Sequence, residues 1–284
     1  MKRSIDGLVI AVTGGARGIG EATARALSAA GARVAIGDLD LDAAEKVAAD
    51  LHDGIALRLD VTDHPGYTAF LDSVEDRLGP LDVLVNNAGI MPVAALEDES
   101  DETTTRQLAI NLHAVIHGTR EAARRMRPRG RGHIVNVASL AGKVGTPGAA
   151  TYSATKHGVV GLSEAVHLEL RGTGIDVSCV MPGIVRTELT VGVGEMRGIK
   201  SIGPEDVAAA IVGAVRKPRF DVFVPKSAGT TAYLGRLLPR RGGEWVARRL
   251  GGDTVIIAAA HRPERAAYEA RAAASAPSVD QGAD

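Results

Sequence analysis

An apolar, β-branched run, Leu8-Val-Ile-Ala-Val12, opens directly into Thr13-Gly-Gly-Ala-Arg-Gly-Ile-Gly20, which leads into the helical stretch Glu21-Ala-Thr-Ala-Arg-Ala-Leu27. A short, continuous apolar run of this kind reads as a buried parallel strand. Gly14 permits a tight turn, Gly18 lets an anion approach the backbone, and Gly20 lets helix and strand pack closely. Free N–H groups and the positive end of the helix then converge where a pyrophosphate can sit. A second strand, Ala32-Arg-Val-Ala-Ile-Gly37, ends at Asp38. A carboxylate about 20 residues past such glycines is placed to grip a ribose hydroxyl. It also disfavours a 2′-phosphate, because like charges about 4 Å apart repel by roughly 4 kcal/mol at an effective dielectric of 20. NAD is therefore expected over NADP. Arg17 is the counterweight, since a cation in the loop can meet a phosphate. Its other readings are a salt bridge and a contact to the pyrophosphate.

Further apolar strands read at residues 55–59, 81–85, 134–138, 176–180 and 221–224, with helical stretches between them. Such alternation argues for an α/β fold, a doubly wound parallel sheet covered on both faces. Right-handed crossovers leave few topologies, and a ligand should lie outside the carboxyl ends of the strands.

Tyr152 and Lys156 stand at i and i+4 in Thr151-Tyr-Ser-Ala-Thr-Lys-His157, and Ser139 ends the run His133-Ile-Val-Asn-Val-Ala138. On a helix that spacing puts phenol and ammonium on one face. A free phenol has a pKa of about 10, and a neighbouring cation lowers it. A phenol tuned in this way can exchange a proton with an alcohol or carbonyl. A surface helix pair is the bland alternative for the spacing alone.

Together these residues resemble a short-chain dehydrogenase/reductase. Thr13-Gly14-x-x-x-Gly18-x-Gly20 matches the family's cofactor signature, which includes Arg17 and Ile19. Asp60-Val61 resembles the pair whose carboxylate meets the adenine amino group. Asn86-Asn87-Ala88-Gly89 matches the segment that steadies the central strand and passes close to the cofactor. Asn111, Ser139, Tyr152 and Lys156 fall where the family has its catalytic four. Pro182-Gly183-Ile-Val185-Arg-Thr187 resembles the stretch at the nicotinamide, with Thr187 near its carboxamide.

The resemblance covers roughly residues 5 to 225 and implies a Rossmann-type sheet of about seven strands in the order 3-2-1-4-5-6-7. It implies that Tyr152 exchanges the substrate proton and Lys156 holds the nicotinamide ribose. Asn111 supports a water linking that lysine to solvent. Ser139 donates to the substrate oxygen, where charge develops. An NADP-dependent reductase of 3-ketoacyl chains is the nearest rival, and a dinucleotide-binding sensor without chemistry is the rival from another class.

The expected division is residues 1–225 for the dinucleotide-binding and catalytic domain and 226–284 for a helical C-terminal extension with a disordered tail. Net charge is −1, so no basic field points to nucleic acid. A single cysteine, Cys179, rules out an internal disulfide and reads as core; no metal-ligand cluster is visible. His113 and His117 read as a surface or interface pair. No secretory apolar stretch precedes the first strand, and a cytoplasmic location is expected. On the helix that begins near Tyr152, Ala154, Gly158, Gly161 and Ala165 form a stripe suited to another helix. Packing on the domain's own sheet is one reading of it, and a homodimer or homotetramer the other.

Met91, Val93, Leu140, Val144, Ile184, Leu189 and Met196 are expected to face a hydrophobic substrate, and residues 188–201 to form a mobile lid. Residues 234–250 carry five arginines and one acid among apolar residues. Such a stretch suits either a helical cap over the pocket or the subunit interface, or peripheral membrane contact.

Overall fold

The computed structural model describes residues 3–194, 201–229, 239–251, 254–260 and 262–275. Met196, residues 234–238 and the tail from 276 lie outside them. Seven strands, β1 (Val9–Thr13), β2 (Arg33–Asp38), β3 (Gly54–Arg58), β4 (Val83–Asn86), β5 (Gly132–Val137), β6 (Ile175–Pro182) and β7 (Asp221–Val224), form one sheet in the order β3-β2-β1-β4-β5-β6-β7. Every neighbouring pair is parallel.

Strand β1 explains why its sequence is apolar without alternation. Ile10 and Val12 enter one core cluster, and Val9 and Ala11 the cluster on the opposite face. A strand buried on both sides has no solvated face to mark with polar residues. Helices α1 (Gly18–Ala29), α2 (Leu41–Ala49) and α7 (Pro204–Arg216) supply side chains to the first cluster. The helices α3 (His64–Leu78) and α5 (Ala114–Met126) supply the second. Cys179 is fully buried in a third cluster with Val159 and Met181.

The sheet's midline is pinned by a polar chain. The Tyr67 phenol donates to Asn86 Oδ1 at 2.7 Å, Asn86 Nδ2 to Asn136 Oδ1 at 2.9 Å, and Asn136 Nδ2 to Ser163 Oγ at 3.0 Å. All four side chains are buried. Losing one link would leave a buried partner unsatisfied, at about 1–3 kcal/mol. This chain fixes β4 against β5, and so fixes the loop after β4 over the switch point between β1 and β4.

The helix that carries Asn111 is irregular. It consists of α4 (Asp101–Leu108), a π-helical turn (Ala109–His113) and α5. The helix bearing Tyr152 is α6 (Ala150–Glu169). On its stripe Ala154, Gly161 and Ala165 are exposed, and Gly158 alone faces its own domain, against Leu112. His113 is exposed and His117 stacks on His64 at 4.4 Å. No helix among the described residues is long and apolar enough to cross a membrane.

Candidate active site

The glycine turn after β1 holds Gly14 at φ +64° and Gly18 at φ +54°, the left-handed region that favours glycine. A Cβ on Gly14 would stand 2.8 Å from Ala88 Cα, and one on Gly20 2.0 Å from the Gly14 carbonyl oxygen. Ile19 and Gly20 lie in the first turn of α1, whose N-cap residue, Arg17, gives no side-chain cap. The first N–H groups of a helix are the natural partners of an anion.

Thr13 and Asn87 act as fasteners. The Thr13 hydroxyl accepts from the N–H of Asn87 at 3.0 Å and of Ala88 at 3.2 Å. Asn87 Nδ2 donates to the carbonyls of Thr13 at 3.0 Å and Gly14 at 2.9 Å. The loops after β1 and β4 are thereby one unit.

Asp38 ends β2 half-buried. Its carboxylate accepts from the N–H of Ala16 at 2.9 Å and of Asp40 at 3.1 Å. Burial pushes its pKa up, and these two bonds oppose the shift. Arg17 is salt-bridged to Asp40. Asp60 accepts at Oδ1 from the N–H and hydroxyl of Thr62 at 2.9 and 2.7 Å, and Val61 is buried beside it.

On the far side, Pro182 ends β6 and the Gly183 N–H donates to the Val224 carbonyl at 2.8 Å. Val185 is buried and bridges to Ile202. The Thr187 methyl lies 3.3 Å from where a Cβ on Gly18 would be. The loop after β6 therefore closes against the glycine turn. Residues that hold a dinucleotide in the resemblance line this cleft at the carboxyl ends of the strands, and its contours fit such a group. The backbone at Gly14 and Gly18 is stripped of side chains, the Asp38 carboxylate stands at the end of β2, and the nearby Arg17 guanidinium is paired with Asp40.

Tyr152 and Lys156 face one way on the first turns of α6, both buried, with Nζ 5.6 Å from the phenol ring centroid. Lys156 Nζ donates to the Val137 carbonyl at 2.9 Å. Ser139 follows β5, and its hydroxyl accepts from the Ala141 N–H at 3.1 Å. Asn111 sits in the π turn, fully buried. Its Oδ1 accepts from the Ile90 N–H and its Nδ2 donates to the Ile90 carbonyl, each at 2.8 Å. A Cβ on Gly89 would lie 3.1 Å from Asn111 Oδ1 and 3.6 Å from Lys156 Nζ, so this glycine keeps a gap between the two.

The expected electrostatics need correcting. The spacing suggests a phenol lowered by its lysine. Burial instead pushes Tyr152 up to about 12, with the Ser139 hydroxyl pulling the other way. Burial also pushes Lys156 down to about 8. Both groups leave water, and the loss of solvent is the largest cause of each shift.

The chain carries a match to the short chain dehydrogenase model over residues 8–198. It belongs to the short-chain dehydrogenase/reductase family. Relatives include a 3-alpha-(or 20-beta)-hydroxysteroid dehydrogenase of Mycobacterium tuberculosis, 38% identical over 219 residues that span 77% of this chain and 80% of the relative. A monensin polyketide synthase putative ketoacyl reductase of Streptomyces virginiae is 44% identical over 187 residues, 64% of this chain and 72% of the relative. Among solved structures, a short-chain dehydrogenase/reductase from Burkholderia phymatum in complex with NAD superimposes with a TM-score of 0.76 at 26% identity. It covers 82% of this chain and 94% of that one. As a short-chain dehydrogenase/reductase, the protein is an oxidoreductase built to bind a nicotinamide dinucleotide.

Beyond the matched span lies the part of the site that the sequence reading missed. Met91, Val93, Ala149 and Tyr152 form one buried cluster with Ile256, and Leu189, Val193 and Ala260 pack against it. Of the expected apolar lining, Met91, Val93 and Leu189 gather here. Val144 is 51% exposed and does not. Leu140 packs near Gly183. Residues 254–260 and 262–275 pack around this cluster, further along the chain than the stretch at 234–250. The available signals were the run Val255-Ile-Ile-Ala-Ala-Ala260 and the helical spacing of Arg265, Tyr268 and Ala272.

Proposed function

We propose that this chain transfers a hydride between NAD(H) and a hydrophobic secondary alcohol or ketone, with Tyr152, Lys156, Ser139 and Asn111 as its proton-handling centre. The observation that carries the proposal is the Tyr152 phenol, buried under the apolar cluster of Met91, Val93 and Ile256. When bound, the dinucleotide supplies or accepts the hydride, and the chain supplies orientation and the proton. In reduction, Tyr152 Oη gives its proton to the carbonyl oxygen, and Ser139 Oγ donates a hydrogen bond to the same atom, where negative charge gathers. Lys156 grips the nicotinamide ribose while Val137 fixes its reach. Asn111 stiffens the loop at Ile90 from which Gly89 faces the lysine.

Preference for NAD rests on Asp38 and on the Arg17–Asp40 ion pair, and the NAD complex of the structural neighbour agrees with it. Similarity to the mycobacterial hydroxysteroid dehydrogenase supports a polycyclic alcohol as the first substrate to try. The Streptomyces relative favours a second reading, an NADP-dependent reductase of 3-ketoacyl chains. The exposed stripe of α6 supports a homodimer or homotetramer. Peripheral membrane contact would use the helix α8 (Arg240–Leu250), where Arg249 stacks on the exposed Trp245.

The deciding experiment follows NADH and NADPH absorbance with hydroxysteroids, long-chain secondary alcohols and 3-ketoacyl thioesters. Turnover of a lipophilic alcohol with NAD supports the proposal. Exclusive NADPH-dependent reduction of the thioesters would replace it with the second reading.

A further inference from the structure

Arg265 is 1% exposed, yet it lies on a segment that no part of the glycine cleft requires. It ends a 3₁₀ turn (Pro263–Arg265) just before the last described helix, α9 (Ala266–Ala274). Its guanidinium reaches three separate pieces of chain. Nη1 donates to the carbonyls of Leu189 at 3.1 Å and Val191 at 2.9 Å. Nη2 donates to the Met91 carbonyl at 2.9 Å, and Nε to Glu269 Oε1 at 2.9 Å. The planar fork of arginine suits such divergent acceptors, and an ammonium could not span them.

Neighbouring groups fit the same join. Tyr268 stacks under the guanidinium at 5.0 Å, and its hydroxyl accepts from the Met91 N–H at 2.7 Å. Arg271 pairs with Glu188 at 2.8 Å. Gly192 has φ +76°, and a Cβ there would stand 3.1 Å from Arg265 Cγ. The turn that leads into α6 is also engaged, because a Cβ on Gly148 would lie 2.6 Å from Ile257 Cα. Residues 254–260 and 262–275 thus touch the loops after β4, before α6 and after β6, and all three border Tyr152.

We infer that residues 254–260 and 262–275 form the distal wall of the substrate pocket, with Ile256 as a residue that sets substrate size and Arg265 as the positioning residue that locks the loop after β6 onto that wall. The inference rests on the proposed function for its substrate and on Arg265 geometry for its mechanics. A buried cation bonded to carbonyls of two loops holds them in one arrangement. Without it, the carbonyls of Leu189, Val191 and Met91 lose their shared donor and the wall loses its register over the phenol.

The test compares the parent with Arg265→Met, Arg265→Lys, Ile256→Ala and Ile256→Trp, using cyclohexanol and a four-ring 3-hydroxysteroid as probes. Arg265→Met should raise the steroid KM about tenfold with the NAD KM and kcat little changed, the signature of a lost binding wall that holds ground and transition states alike. Amides of residues 188–193 should exchange hydrogen about tenfold faster in that variant, and Arg265→Lys should recover part of the protection. The steroid-to-cyclohexanol ratio of kcat/KM should fall about a hundredfold in Ile256→Trp and move the opposite way in Ile256→Ala. Unchanged exchange in Arg265→Met, or an unchanged ratio in both Ile256 variants of an active enzyme, overturns the inference. A parent that turns over neither probe with either cofactor overturns the proposed function instead, and hydrogen exchange then decides the role of Arg265 by itself.

Discussion

Asp40 holds the guanidinium of Arg17 in a salt bridge at the mouth of the glycine turn, one residue beyond Leu39 and two beyond the carboxylate of Asp38. A cation engaged in this way has little attraction left for a 2′-phosphate, and a phosphate there would also meet the Asp38 carboxylate. The parent should therefore prefer NAD. Replacing Asp38 and Asp40 together by serine should free Arg17 and shift the kcat/KM ratio toward NADP by about 100-fold, some 2.7 kcal/mol. Steady-state assays with both cofactors read this directly, and an NADP preference in the parent would refute the argument.

The direction of reaction should show in the pH dependence. With the Tyr152 phenol pushed up to about 12, its proton is in place at neutral pH. Ketone reduction needs that proton, so its kcat/KM should stay flat from about pH 6 to 8. Alcohol oxidation needs the phenolate, so its kcat/KM should climb by up to about tenfold per pH unit over the same range. Tyr152→Phe should bind NAD like the parent, measured by calorimetry, and lose about 10²–10⁴-fold in turnover. Loss of NAD binding in that variant would make the tyrosine structural.

Assembly has a clean probe at Gly161. Nothing lies within 4 Å of a Cβ built there, so Gly161→Arg should leave the single subunit folded. If α6 pairs with its copy, the added side chain should split the oligomer, as light scattering coupled to gel filtration would reveal. A parent that elutes as a monomer would remove α6 as an interface.

Acid should weaken the fold through His133. The ring is fully buried; its Nε2 shares a hydrogen bond with Ser178 Oγ at 2.9 Å, and its Nδ1 has no partner among the described residues. Burial lowers its pKa from 6.5 to about 3. Below pH 6.5 the unfolded chain takes up a proton that the folded chain refuses, so stability falls as pH drops toward 3. Between pH 6.5 and 5 the loss should be on the order of 2 kcal/mol. Urea titrations of the parent and His133→Gln should show a flatter pH dependence in the variant; equal slopes would exonerate the histidine.

What could be read from the sequence was what depends on neighbours along the chain. The strand before Gly14 declared itself because burial on both faces demands an unbroken apolar run, and the Tyr152–Lys156 pairing because α-helical spacing is local. The phenol's raised pKa was not legible, since burial is a property of everything packed around it. Arg265 was not legible either. It meets Met91 across 174 positions of sequence, and an arginine before an alanine-rich helix looks like any solvated charge. Its partners are backbone carbonyls, which leave no residue-type signature.

The π turn at Ala109–His113 carries a consequence for anyone engineering this helix. A π turn holds one extra residue, and each residue of an α-helix advances the side chain by about 100°. Deleting a single residue there would let α4 run smoothly into α5 with full helical bonding. The flanks would keep their phase, because the wide turn absorbs the extra residue, but the side chains within the turn would shift and take Asn111 out of reach of Ile90. A shorter, more regular rod would thus be the more damaged protein, because this irregularity acts as a gear tooth that meshes the helix with the loop in front of it.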